Sequence, residues 1–185
     1  MQITSYELDA GRWYAAPTFE EWLPTAQKNS DLWQAVYRQH AVVPDQFVAR
    51  AALLGGPWRL LVMSEDWCGD AVNTVPVVQR LVERVPGLEL RIVGRDANPD
   101  IMEAHLTGSS KSIPVVMMFG PDFRELGWWG PRPSELQAWV QGPGRELSPD
   151  DRYREIRRWY ARNHGRTTLD EVVSMLERGS ATRDA

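Results

Sequence analysis

The stretch SEDWCGDAVNTVP, residues 64–76, contains the only cysteine of the chain, Cys68. Cys68 lies just ahead of a run with helix-like apolar spacing, so the sequence predicts that its sulfur lies near a helix N-terminus. Backbone N–H groups at such an end carry partial positive charge and favour a thiolate, which is the nucleophile in thiol–disulfide exchange. The stretch therefore suggests a reactive thiol, against the alternative of a buried, inert cysteine.

The third position after Cys68, where a second cysteine would complete a redox pair, is Ala71. A mixed disulfide on Cys68 therefore could not be resolved within the chain, and an external small thiol would have to release it. Asp70 lies between these two residues and allows two interpretations. Its carboxylate either caps the helix, or acts on the thiol as a proton acceptor or by raising its pKa.

The composition and the net charge of the chain restrict the classes of protein to which it can belong. The chain has 185 residues, of which 43% are hydrophobic and 25% charged, as in ordinary globular proteins. The net charge of −4 argues against nucleic acid as a main partner. No apolar run is long enough to span a membrane, and the N-terminus lacks the pattern of a signal peptide. We therefore expect a cytoplasmic protein without membrane partners, and the sequence leaves its oligomeric state open.

Neither a metal site nor a cofactor is expected from the sequence. The three histidines, His40, His105 and His164, are far apart, and none has metal-ligand spacing with another. None lies near Cys68 in the sequence, so an adjacent histidine base for the thiol is not indicated either.

Hydrophobic periodicity divides the chain into three segments, which we expect to form one globular domain. Residues 1–57 are predicted as an N-terminal helical extension, and residues 58–142 as an α/β core. Residues 143–185 are predicted as C-terminal helices and a tail.

The two extensions show their own helix signals. In the first, Thr18–Glu21 reads as a capping box, and further helices are predicted from Ser30 and Pro44. In the last, a second capping box is predicted at Thr168–Glu171, with a loose tail after Gly179.

The middle segment alternates between strand-length and helix-length patterns. The predicted order is β-α-β-α-β-β-α, with the first helix spanning Asp70–Arg84. The remaining elements are predicted to begin at Trp58, Leu88, Asn98, Pro114, Phe123 and Pro133.

This order, together with WCG at 67–69, Pro76, Ile113-Pro114 and Gly130, resembles the thioredoxin-like superfamily. The GPRP at 130–133 and the C-terminal helices resemble one bacterial branch of it. The resemblance implies a thioredoxin-like β-α-β-α-β-β-α core with N-terminal and C-terminal helical extensions. It also implies an exposed cysteine turn that faces a cis-proline loop.

The resemblance further implies a set of site residues. Cys68 and Asp70 are the candidate catalytic pair. The candidate substrate-binding residues are Trp67, Gly69, Ser112, Ile113, Pro114, Trp129, Gly130 and Arg132. Arg132 is expected to pair with Asp70, to hold an anionic substrate group, or to lie on the surface. For Trp128 and Trp129 the alternatives are substrate recognition and coverage by the C-terminal helices.

The sequence also departs from the thioredoxin pattern. Val62 and Ile92 occupy the places of a buried aspartate and its lysine partner, and Ala71 that of the second cysteine. The function expected is monothiol exchange with a disulfide-containing protein or a small-molecule thiol. The alternative is a redox-inactive binding or scaffold module. Peroxide reduction and cluster binding are disfavoured, because LVMSEDW, CGDA and SIP match the corresponding motifs poorly.

Overall fold

The computed structural model describes residues 6–183, and within them the central feature is a sheet of four strands in the order β2-β1-β3-β4. The strands are β1 (Trp58–Met63), β2 (Leu88–Val93), β3 (Val115–Phe119) and β4 (Glu125–Trp129). β1 runs parallel to β2 and antiparallel to β3, and β3 runs antiparallel to β4. Every residue of β3 is buried, which explains its unbroken apolar run.

The helices of the core connect these strands in the predicted order. They are α5 (Gly69–Val82), α6 (Pro99–Ala104) and α7 (Ser134–Gln141). α5 begins one residue earlier than predicted and carries Pro76 inside it. The predicted β-α-β-α-β-β-α core, with helical extensions at both ends, is confirmed.

Short helices form the N-terminal extension. They are α1 (Ala10–Ala15), α2 (Phe19–Trp22), α3 (Ser30–Ala35) and α4 (Asp45–Ala52). The Thr18–Glu21 capping box is confirmed, since both of its reciprocal hydrogen bonds are present. A turn of 3₁₀-helix (Leu23–Thr25) follows α2, and a π-helical turn (Val36–His40) extends α3. The sequence analysis does not predict α1.

The C-terminal extension differs from its prediction in two places. It comprises a 3₁₀ turn (Pro143–Glu146), α8 (Pro149–Asn163) and α9 (Arg166–Arg183). The predicted capping box at Thr168–Glu171 is wrong, because α9 has already begun and Thr168 is buried within it. The tail predicted after Gly179 is wrong up to residue 183, because α9 continues through it.

Close packing explains why α9 continues past Gly179. A Cβ at this position would lie 2.6 Å from the sulfur of Met118, so glycine lets the helix approach the sheet. The last two residues of the predicted tail, and the first five of the predicted N-terminal extension, lie outside the described range.

One continuous apolar core joins the extensions to the sheet, and α8 packs beside it. Trp13, Phe19 and Trp33 from the N-terminal helices and Leu169 and Leu176 from α9 all belong to this core. Ile156 and Tyr160 of α8 form a separate small cluster with Leu136. No helix in the described part of the chain is long and apolar enough to cross a membrane.

Gly130 allows the segment after β4 to pass close to the loop before β3. Its φ is 144°, and an added Cβ would overlap the carbonyl oxygen of Pro114. We expect Gly130→Ala to lower the free energy of unfolding by about 2–4 kcal/mol, through backbone strain and overpacking. Urea denaturation measures this change.

Gly69→Ala is the matched control, because no atom lies within 4 Å of the added Cβ. It should change the free energy of unfolding by no more than about 1 kcal/mol. Equal stability of Gly130→Ala and the unmodified protein would contradict the close approach.

Candidate functional site

Cys68 occupies the N-cap position of α5, at the end of the loop that follows β1. Its thiol donates to the carbonyl oxygen of Ile113, with an S–O distance of 3.4 Å. The Ile113-Pro114 peptide bond is cis. The cysteine therefore faces the loop that the resemblance implies. The turn is not exposed as expected, since Cys68 is only 7% accessible with its sulfur turned toward this loop.

Burial dominates the acidity of the thiol. It raises the pKa of Cys68 above its ordinary value, because a thiolate is poorly solvated there. The backbone N–H groups of Ala71 and Asp70 lower this pKa, and so does the Arg132 guanidinium, whereas the Asp70 carboxylate raises it. The helix start thus acts in the predicted direction, but burial outweighs it.

Asp70 is engaged by two other side chains. Its carboxylate forms an ion pair with Arg132 and accepts a hydrogen bond of 2.8 Å from the hydroxyl of Tyr160. The Asp70 and Arg132 side chains are only 12% and 17% exposed. Asp70 is not the N-cap of α5, a position that belongs to Cys68. For Arg132, the structure shows the alternative in which it pairs with Asp70.

Tyr160 is a site residue that the sequence analysis missed. It lies on the apolar stripe of α8, which predicts an inward direction but gives no partner. Burial raises the pKa of Tyr160 well above its ordinary value, and Asp70 adds to the shift. Tyr160 is therefore a protonated hydrogen-bond donor at neutral pH.

A cavity of about 480 Å³ opens beside Cys68. Most of the predicted site residues lie in its wall: Trp67, Cys68, Gly69, Asp70, Ser112, Ile113 and Arg132. Further wall residues come from α8, from α3 and from the loop after β2, including Tyr153, Leu32 and Arg95. Sequence reasoning missed these residues because they are distant from Cys68 along the chain.

Three predicted substrate-binding residues lie outside the wall of this cavity: Pro114, Trp129 and Gly130. Pro114 is buried behind Ile113. Trp129 and Gly130 line a second cavity, of about 510 Å³, which shares Arg132 with the first. The Trp129 indole is 8% exposed and donates to Glu171 of α9 at 2.7 Å. The expectation that Trp129 faces the groove is not met, because α9 covers it.

The resemblance places Val62 and Ile92 at the positions of the buried aspartate and lysine of thioredoxins. Val62 and Ile92 are register partners on β1 and β2, and both are buried. Within residues 6–183, no group of three or more His, Cys, Asp and Glu side chains is arranged to hold a metal ion.

Comparison with known proteins agrees with the fold. The family model described as Thioredoxin matches residues 16–159. The chain belongs to the thioredoxin family. A search of curated proteins found no match.

Two solved structures resemble this thioredoxin-family protein in fold. One is an HIV epitope-scaffold, with a TM-score of 0.68 and 18% identity over 92% of this chain and 98% of the scaffold. The other is a protein of unknown function from Pseudomonas aeruginosa, with a TM-score of 0.61 and 18% identity over 95% of both chains. At this identity the likeness concerns the fold alone.

Substitution of the two charged residues beside the thiol, Asp70 and Arg132, should change the rate of alkylation of Cys68 in opposite directions. Asp70→Asn removes a charge that raises the pKa of Cys68, so alkylation by iodoacetamide at pH 8 should become about 3-fold faster or more. Arg132→Gln removes a charge that lowers this pKa, so alkylation should slow by a similar factor. Rates measured across pH by mass spectrometry separate changes in pKa from changes in access.

Glu135→Gln is the control, because Glu135 is an exposed acid in the first turn of α7. It should leave the alkylation rate unchanged. If Asp70→Asn and Arg132→Gln both accelerated alkylation, the network would act by covering the thiol, and the electrostatic account would be wrong.

Proposed function

We propose that this protein is a monothiol member of the thioredoxin family that exchanges disulfides through Cys68. The observation that carries the proposal is the position of the Cys68 sulfur. It contacts the cis Ile113-Pro114 loop, Cys68 lines the cavity, and the position expected for a second cysteine is Ala71. The partner would be a disulfide-containing protein or a small-molecule thiol. We place this activity in the cytoplasm, where reducing conditions keep a lone cysteine as a thiol.

The proposed reaction has two balanced steps. The Cys68 thiolate attacks one sulfur of a disulfide RSSR, which forms the mixed disulfide Cys68–S–S–R and releases RS⁻. An external thiolate R′S⁻ then attacks the sulfur of R, which restores the Cys68 thiolate and yields RSSR′. Ala71 is fully buried and has no thiol, so the second step needs the external reagent.

The neighbours of Cys68 set the pH range of this reaction. Because burial raises the pKa of the thiol, the thiolate is a minor species at neutral pH, and exchange should accelerate as pH rises. The proposed role of Asp70 is electrostatic. Its carboxylate, paired with Arg132, adjusts the charge beside the thiol.

A second candidate function is a redox-inactive binding module, and the burial of the thiol favours it. A protonated Cys68 that donates to Ile113 would stabilise the cis-proline loop without reacting. The cavity would then hold a ligand or partner segment, and Cys68→Ser would retain the activity.

Reaction with a small neutral disulfide tests the main proposal. With excess bis(2-hydroxyethyl) disulfide, the native chain should gain one adduct at Cys68 and retain it until a small thiol is added. The rate should keep rising with pH beyond about 8.5, where a free cysteine levels off. Intact-mass spectrometry follows both steps.

The same chain unfolded in urea provides the reference rate, and Cys68→Ser shows that the adduct is at this residue. A native chain that stays unreactive up to pH 10, while the unfolded chain reacts, would rule out exchange. Such a result would favour the binding module.

A further inference from the structure

The wall of the cavity beside Cys68 is strongly cationic, although the chain carries a net charge of −4. Among the described residues that line the wall, Asp70 is the only acid, and it pairs with Arg132. Three further cations remain: Arg95, Lys111 and Arg157. The wall therefore holds three more positive than negative charges, close to the thiol.

These three cations have weak competing partners. Arg157 of α8 has no ion pair with any residue in the part of the chain that the structure describes. Lys111 is 3.8 Å from Glu103, and both side chains are more than half exposed. Arg95 pairs with the exposed Asp96 at 2.8 Å. The acid of each pair is exposed to solvent, which weakens the pair, so both cations remain able to bind another anion.

The wall of the cavity beside Cys68 also contains exposed apolar side chains. Leu32, Trp67 and Tyr153 line the same cavity and are 45%, 47% and 58% exposed. The Arg95 guanidinium lies 5.0 Å from the centre of the Trp67 ring. Large exposed apolar side chains beside a cavity are typical of a binding surface for an organic ligand.

The volume of the cavity and the residues of its wall limit which ligands can enter it. Its volume of about 480 Å³ is within the usual range for small-molecule sites. Ile156 and Arg157 of α8 form part of the wall, as do Ser112 and Ile113 of the cis-proline loop. A ligand that fills this cavity would therefore contact both α8 and this loop.

We propose that the substrate of Cys68 is a small disulfide that carries carboxylate groups, bound by Arg95, Lys111 and Arg157. This inference rests on the proposed exchange function and specifies its substrate class. The cations bind the carboxylates, and the apolar side chains contact the organic part of the molecule. In the first step the same cations stabilise the charge that develops on the departing RS⁻.

Three small disulfides of different charge test this inference: 3,3′-dithiodipropionate, bis(2-hydroxyethyl) disulfide and cystamine. The rate of adduct formation at Cys68 is divided by the rate with the urea-unfolded chain, which removes differences in intrinsic reactivity. At low ionic strength we expect this ratio to be about 10-fold higher for the dianion than for the dication. In about 0.5 M salt the preference should largely vanish, because salt screens exposed charges.

Substitutions identify the cations responsible. Arg157→Gln and Lys111→Gln should each reduce the preference for the dianion by about 3-fold. Arg158→Gln is the matched control. Arg158 is the next residue on α8, lies outside the cavity wall and pairs with Glu155. Its substitution should leave the preference unchanged.

The outcomes separate this inference from the proposed function. Equal rate ratios for the three disulfides, or a preference that survives both Arg157→Gln and Lys111→Gln, would overturn the anionic substrate and leave exchange intact. Absence of an adduct with all three disulfides would overturn the exchange function, and the substrate class with it.

Discussion

The ion pair between Asp70 and Arg132 links the three elements that surround the cysteine. Asp70 lies in the first turn of α5, Arg132 follows β4, and Tyr160 of α8 donates to the same carboxylate. Because both charged side chains are largely buried, loss of either one would leave a poorly solvated charge. The pair therefore constrains the start of α5 and the segment after Gly130 together. Through Tyr160 it also constrains α8, which has few other contacts with the main core.

The charges around the thiol form two layers with different roles. In the inner layer Arg132 is paired with Asp70, so their effects on the acidity of the thiol oppose each other, and burial decides the result. In the outer layer Arg95, Lys111 and Arg157 lack a wall acid of their own. A substrate with negative charge would meet the outer layer first. Substitution of Lys111 or Arg157 therefore tests the proposed substrate binding, whereas Arg95 also interacts electrostatically with the Cys68 thiol, so its substitution would change the acidity of the thiol as well.

The order of the strands and helices in the core could be predicted from the sequence because the local spacing of apolar residues determines each element. Strand-length and helix-length apolar runs gave the order of elements, and the resemblance carried by Ile113-Pro114 and Gly130 implied the loop that faces the cysteine. The predictions failed where tertiary contacts override local preference. α1 has only six residues, and the burial of Trp13 and the ion pair of Arg12 with Asp100 hold it in place. Strand alternation required one of Trp128 and Trp129 to face outward, but only the position of α9 shows that Trp129 is covered.

The sequence analysis could not place one face of α8 beside the cavity that Cys68 lines. Tyr153, Ile156, Arg157 and Tyr160 have the spacing i, i+3, i+4 and i+7, which places them on one face of a helix. Ile156 and Tyr160 pack inward, and Tyr160 bonds Asp70, whereas Tyr153 and Arg157 remain exposed at the cavity. One face of α8 therefore both anchors the helix beside the thiol and supplies groups that could contact a ligand. If Cys68 exchanges disulfides as proposed, the incoming disulfide has to reach the Cys68 sulfur and the external thiol has to reach the sulfur of R, in a cavity that α8 helps to line.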